Sequence, residues 1–178
     1  PHVRAVVPHG VDTALYTPAP DRAAAWAATG YGGTHGIATI GRIRPEKGTD
    51  RFVEAMLHLL PQQPGAVALV LGRAAREHSG FLNGLQARVR DAGLGNRLLF
   101  PGEVAPDTLP ALMRALSLVV QLPRYEGYGM VPLEAMASGV PFVATDAGYY
   151  RSLPAQGRAG RIVEGPEAAA EAAAAILA

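Results

Sequence analysis

Two carboxylates, two cations and a set of glycines are the residues of this chain best suited to chemistry. Glu126 and Glu134 stand eight residues apart inside residues 124–148, RYEGYGMVPLEAMASGVPFVATDAG. Gly127 and Gly129 follow the first of them, and glycine lets a backbone approach a ligand closely. From about Met130 the residues look helical, with Pro132 in the first turn, where its missing N–H costs little. Ser138-Gly139 ends that helix, with Gly at the position that favours a left-handed backbone. A helix opening on glycines offers free N–H groups and a positive dipole end, which suit an anion. Arg42 and Lys47, beside such a helix, could clamp a diphosphate. Carboxylates accept hydrogen bonds from vicinal hydroxyls, of a ribose or of a sugar. Together these are the parts needed to hold a sugar nucleotide.

Each of these residues also has a plainer role open to it. Arg42 could pair with Glu46 or Asp50 on the surface, Glu134 could lie on a solvated helix face, and Glu126 could cap its own loop. His9 taken alone is more often a local hydrogen-bonder than a catalyst. Lys47 is the only lysine among 16 basic residues. A bias that replaces Lys by Arg nearly everywhere spares a lysine where a compact ammonium is wanted.

The elements that must position these residues follow from periodicity. Apolar runs of strand length fall at 36–43, 67–71, 97–100, 118–122, 141–145 and 160–163, with a further short one at Ala5-Val6-Val7. Between them lie helical patterns. One follows Thr49 or Asp50 as cap, with Phe52, Met56 and Leu59 or Leu60 on one face. Another spans 79–92 with Leu82, Leu85 and Val89. A third is capped by Asp107 or Thr108 and carries Leu109, Leu112 and Leu116. A short helix starts after Asp21, where Trp26 reads as packing, and an Ala-rich helix starts at Pro166. Continuous apolar strands alternating with helices predict an α/β domain with a Rossmann-like parallel sheet flanked by helices. Ligands of such sheets bind beyond the carboxyl ends of the strands. There the sequence collects Gly41, Arg42 and Lys47, then Gly72 and Arg73, then Gly102, Glu103 and Val104, then Glu126, Gly127 and Gly129, and last Asp146 and Gly148.

Composition limits the alternatives. A length of 178 residues suits one domain with a real core. Apolar residues make up 49%, but 33 residues are Ala, so large core side chains are fewer than that share implies. The net charge of +1 forces no basic face, which argues against nucleic acid as a partner. Cysteine is absent, which removes disulfides and thiol chemistry. His2, His35, His58 and His78 carry no ligand spacing, so no metal site is expected. There is neither a GxGxxG after the first strand nor a GxxxxGK[ST]. No run of 18 apolar residues exists. The chain opens on Pro1 rather than Met, which reads as a piece of something longer.

Three motifs together resemble the C-terminal, donor-binding domain of retaining GT-B glycosyltransferases, nearest to glycosyltransferase family 4 (group 1). They are residues 7–12 (VPHGVD), residues 41–48 (GRIRPEKG), and Glu126 with Glu134 eight residues beyond it, running on through 135–141 (AMASGVP). Their order and spacing cover nearly the whole chain. The resemblance implies that residues 1–178 are one nucleotide-sugar donor-binding domain, the C-terminal half of a GT-B fold, and that an N-terminal acceptor domain lies outside this chain.

By that resemblance Arg42 and Lys47 hold the diphosphate and stabilise charge on the leaving group, while Glu126 lies near the hydroxyls of the transferred sugar. These three are the expected catalytic residues. Glu134 holds the ribose. Backbone N–H groups of Gly129, Met130 and Val131 contact the donor, with Gly41, Gly72 and Gly127 around it and Val104 beside the base. No metal is implied. The reaction implied is transfer of a hexosyl group, with retention, from a nucleotide-diphosphate sugar to a glycan or lipid-linked acceptor. The pattern with Tyr128 and Arg151 leans toward bacterial lipopolysaccharide core mannosyltransferases using GDP-mannose, a UDP-sugar being the alternative donor. That implies a cytoplasmic protein, peripheral on the inner membrane at full length, and an isolated domain that binds donor but transfers poorly. The competing reading is a non-catalytic nucleotide-binding module of the same fold. Three positions depart from the pattern: His9 stands where Asn is frequent, Gly72-Arg73-Ala74 replaces a Gly-x-Gly, and Arg151 falls where an acid is common.

Overall fold

A computed structural model of the chain describes residues 9–153 and 159–178. The strand expected at Ala5-Val6-Val7 lies outside the described residues, as do Val7 and Pro8 of the first motif. Six strands form one sheet: β1 (His35–Ile40), β2 (Ala66–Leu71), β3 (Leu98–Gly102), β4 (Leu118–Gln121), β5 (Phe142–Thr145) and β6 (Gly160–Val163). Their order is β3-β2-β1-β4-β5-β6, and every neighbouring pair is parallel. The expected Rossmann-like sheet is therefore present, and its order reverses between β1 and β4. That reversal opens a crevice at the carboxyl ends of those two strands.

Helices cover both faces, which is why the strands read as continuous apolar runs. On one face α2 (Thr49–Leu59), α3 (Ser79–Asp91) and α6 (Pro166–Leu177) enclose a core containing Phe52, Met56, Leu59, Val70, Val120 and Val143. Each fully buried side chain of that size contributes roughly 1.5–3 kcal/mol. The small faces of Ala169, Ala170 and Ala173 let α6 lie close to α2. On the other face α1 (Arg22–Ala27), α4 (Leu109–Ala115) and α5 (Val131–Ala137) pack over Trp26, Leu69, Met113, Val119, Phe142 and Tyr150. Trp26 is packing, as expected. Its ring lies where a Cβ on Gly36 would be, and its Nε1–H donates to the Gly32 carbonyl at 2.9 Å.

Local outcomes differ from the sequence reading at four places. β1 stops at Ile40 rather than 43, because Gly41 takes φ 144° and turns the chain out of the sheet. β3 runs on through Pro101 and Gly102, read from sequence as its turn. β3 is an edge strand, where a residue without an N–H is tolerated. The N-cap of α2 is Gly48 rather than Thr49 or Asp50, and no side chain caps that end. On α4 the deepest residues are Met113, Ala115 and Leu116, with Leu109 and Leu112 half-buried. The end of α5 is as expected: Gly139 has φ 68°.

Candidate functional site

The rim at the carboxyl ends of the strands has two parts. The first is a cleft of about 370 Å³ at the ends of β1, β2 and β3, whose lining includes Gly41, Arg42, Gly72, Arg73, Glu103 and Val104. Gly41 and Gly72 continue side by side past their strands. A Cβ on Gly72 would sit 1.8 Å from the Gly41 carbonyl oxygen, so no side chain fits there. Arg42 is exposed and has no ion pair or hydrogen bond among the described residues. Neither expected surface partner takes it. Glu46 faces Arg44 at 3.8 Å, and Asp50 is held by Arg124. Arg73 faces Glu103 at 3.7 Å, with side chains 78% and 68% exposed, a pair that water and salt screen heavily.

The second part joins the loop after β1 to the loop after β4. Lys47 ends a single tight turn, Pro45–Lys47, and its Nζ donates to Glu126 Oε2 at 2.7 Å. The other Glu126 oxygen accepts from the Gly127 N–H at 3.0 Å, so Glu126 also caps its own loop. Gly48, next in sequence, is buried at φ 68°, and a Cβ there would meet the Leu122 carbonyl oxygen at 1.8 Å. The Glu46 carbonyl accepts from the N–H groups of Arg124, at 2.9 Å, and Tyr125, at 3.2 Å. The Arg124 guanidinium donates to the Pro45 carbonyl at 2.7 Å and to both Asp50 carboxylate oxygens, at 2.7 and 2.6 Å. Burial alone would raise the Asp50 carboxyl; the hydrogen bond and charge of Arg124, with backbone N–H groups, outweigh it and hold the carboxyl below its ordinary range.

Glu134 lies in the first turn of α5, half-buried, and no cation among the described residues pairs with it. Burial pushes its carboxyl above the ordinary range, and a hydrogen bond from the Tyr16 hydroxyl offsets this only in part. Tyr150 is buried beneath the same loop. A Cβ on Gly129 would fall 2.0 Å from its ring, so glycine is required there both by contact and by φ 91°. Burial, with the nearby charges of Glu126 and Glu134, drives the Tyr150 hydroxyl far above its ordinary range, so it stays a neutral donor. The N–H groups of Gly129, Met130 and Val131 donate to nothing among the described residues. Gly148 packs the loop after β5 onto Glu126, 3.1 Å from its Cγ by the same Cβ measure. His9 sets its ring edge-on to Tyr128 at 4.8 Å, and Tyr128 stacks on Tyr149 at 5.1 Å. His9 is thus a packing partner here. Arg151 pairs with Asp146 at 2.6 Å.

The sequence-derived residues accordingly fall in two neighbouring groups. Gly41, Arg42, Gly72 and Val104 share the cleft, while Lys47, Glu126 and Gly127 meet in the joined loops, with Gly129 and Glu134 around Tyr150. Sequence reasoning missed Tyr16, Tyr150 and the Arg124–Asp50 fork. Each acts across many residues of chain, where no periodic signal exists. Among the described residues no three His, Cys, Asp or Glu side chains gather to hold a metal ion, and no helix is long and apolar enough to cross a membrane.

Residues 31–178 match the family described as glycosyl transferases group 1. The chain belongs to that family. Within these group 1 glycosyl transferases it is 47% identical to the lipopolysaccharide core biosynthesis mannosyltransferase LpcC of Rhizobium leguminosarum, over 92% of this chain and 45% of the relative. It is 45% identical to the corresponding mannosyltransferase LpsB of Rhizobium meliloti, over 83% of this chain and 42% of the relative. The chain therefore spans under half the length of these curated relatives. Its fold matches the crystal structure of the C-terminal domain of the group 1 protein LpcC from Francisella tularensis, with TM-score 0.90, 34% identity, and 94% of this chain and 88% of that one covered. It also matches HepE of Anabaena, solved in complex with UDP-glucose, with TM-score 0.79, 29% identity, and 94% and 45% covered.

Proposed function

We propose that this domain binds a nucleotide-diphosphate sugar and contributes the donor half of a glycosyltransferase that moves a hexosyl group, with retention, to a glycan or lipid-linked acceptor. The observation that carries this reading is the meeting of Lys47 and Glu126 at the crevice where the strand order reverses, with Arg42, unpaired among the described residues, in the same loop after β1. Lys47 has three N–H donors and gives one to Glu126, so two remain for phosphate oxygens. Arg42 spends none of its fork on a described residue, which suits bidentate contact with a second phosphate oxygen. As the bond from the sugar to the diphosphate breaks, negative charge grows on the leaving oxygen. The two cations stabilise that charge, an electrostatic role needing no movement at the moment of reaction. The N–H groups of Gly129, Met130 and Val131, which donate to nothing among the described residues, add donors in the loop that follows Glu126. Half-buried Glu134, without a cation, accepts from the ribose hydroxyls. Val104, in the cleft lining, lies beside the base.

The two Rhizobium mannosyltransferases support mannose as the sugar and lipopolysaccharide core as the product class, with GDP-mannose as donor. The UDP-glucose complex of HepE keeps a UDP-sugar as the alternative. The acceptor then enters from an N-terminal domain outside this chain, and the full-length protein works in the cytoplasm against the inner membrane. The domain alone binds donor and transfers sugar poorly.

Calorimetric titration with GDP, UDP and ADP, each alone and as its common sugar conjugate, tests this. GDP and GDP-mannose should bind tightest. Preference for UDP would replace the donor assignment, and binding of none would overturn the donor-site reading. A module that only kept the fold would bind equally well after Lys47→Ala.

A further inference from the structure

We propose that Arg124 and Asp50 form a positioning clamp that sets the Lys47 ammonium against Glu126. Its consequence for ligand binding rests on the donor-site reading above; its consequence for Lys47 does not. Lys47 and Glu126 come from loops after β1 and β4, strands adjacent in the sheet but far apart in sequence. Both residues have flexible side chains, so their 2.7 Å contact requires backbones held in register. Arg124 supplies that register. It stands two residues before Glu126, and its guanidinium spans 74 residues of sequence to Asp50. The same group takes the Pro45 carbonyl, and its own N–H takes the Glu46 carbonyl. The two carbonyls that precede Lys47 are thus both claimed by Arg124. On the other side of Lys47, Gly48 is wedged under the Leu122 carbonyl. The lysine backbone is fixed from both directions.

The chemistry of the clamp calls for arginine. A planar fork can grip both oxygens of Asp50 and still reach a carbonyl, which an ammonium on a single stem cannot do in the same geometry. An isolated pair with side chains 41% and 26% exposed would be worth little. Here the fork is one of several bonds that share a single geometry, so losing it loosens the rest. Neither Arg124 nor Asp50 needs to touch a ligand for this. They act through Lys47.

Because Lys47 is the only lysine, lysine-selective ¹³C labelling gives one side-chain signal, and that signal reports the clamp directly. The variants are Arg124→Ala and Asp50→Asn, with Arg88→Ala, which removes an exposed side chain on α3, as a control. Arg124→Lys is avoided because it would add a second lysine. In both clamp variants the Lys47 signal should move to the position and sharpness of a free lysine. Acylation of Lys47, followed on its peptide by mass spectrometry, should quicken by about tenfold, the loss of one charge-assisted contact. Affinity for GDP and UDP should fall by roughly three- to tenfold, and the control should change none of these. An unchanged Lys47 signal and reactivity in folded Arg124→Ala would overturn the proposal. Should that variant lose its fold, Asp50→Asn, which keeps the side-chain shape, decides by the same readings. If the unaltered chain binds neither nucleotide, the donor-site reading fails while the lysine signal still judges the clamp.

Discussion

The two halves of the rim are built in opposite ways. Around Lys47 and Glu126, side chains and backbone from two loops are cross-bonded, and Gly48 is locked against a neighbouring carbonyl. Around the cleft at Gly41, Gly72 and Val104, the backbone is fixed but the charged side chains are loosely held: Arg42 has no partner among the described residues, and Arg73 and Glu103 form an exposed pair at 3.7 Å. The wired half suits a group whose position must be set before a bond breaks. The open half suits recognition, where side chains close on a ligand once it arrives.

The sharpest way to break this contrast is Gly48→Ala. The new Cβ would lie 1.8 Å from the Leu122 carbonyl oxygen at φ 68°. The backbone must shift, at a cost on the order of 3 kcal/mol. Thermal unfolding should therefore occur about 10 °C lower. An unchanged melting temperature would mean that the wired half is not wired.

Next in size, Lys47→Ala and Arg42→Ala should separate by their effects on stability. Each should weaken diphosphate binding by about tenfold or more in calorimetry, the loss of a charged hydrogen bond. Only Lys47→Ala should also destabilise the unliganded domain, by about 1 kcal/mol, because it leaves Glu126 half-buried without its cation. Equal stabilities for the two variants would erase the distinction between the halves.

A smaller effect sharpens the comparison through pH. Burial raises the Glu134 carboxyl above the ordinary carboxylate range, so its ionised form is disfavoured in the domain without ligand. Ribose hydroxyls donating to the carboxylate would favour that ionised form and lower the value on binding. Protons should then be released on binding between the lowered and the raised values, and affinity should rise as pH climbs through that window. Titration in two buffers of different ionisation enthalpy measures the release. Proton uptake would reverse the assignment of Glu134. The smallest effect expected is from Arg73→Ala, which should alter stability by under about 0.5 kcal/mol in chemical denaturation, since its pair is exposed.

What the sequence disclosed follows the same division. Residues that act through their own neighbours were legible: Gly139 ending α5, the helical spacing of Phe52, Met56 and Leu59, and the short run that became β6. The placement of three charged residues was legible too: Arg42, Lys47 and Glu126 lie in loops that follow strands, and a parallel sheet puts the ends of all its strands on one rim. What escaped was set by contacts distant in sequence. Thr49 and Asp50 read as caps for α2, yet the contact of Gly48 with Leu122 fixes that helix start, and Asp50 is spent on Arg124. Pro101 reads as a turn until the sheet order puts it on an edge. Tyr16 and Tyr150 lie outside every motif and meet the site only after folding.

The unpaired Arg42 also bears on time. Lys47 with Glu126, Arg73 with Glu103 and Arg124 with Asp50 each sum to zero charge when viewed from several ångströms away. On the donor-site proposal, an approaching diphosphate is drawn chiefly by Arg42, and salt should slow its arrival through that one charge. Lys47 would then act only after contact, by sharing its remaining donors, and so govern how long the ligand stays. The same proposal thus divides encounter and residence between two cations a few residues apart.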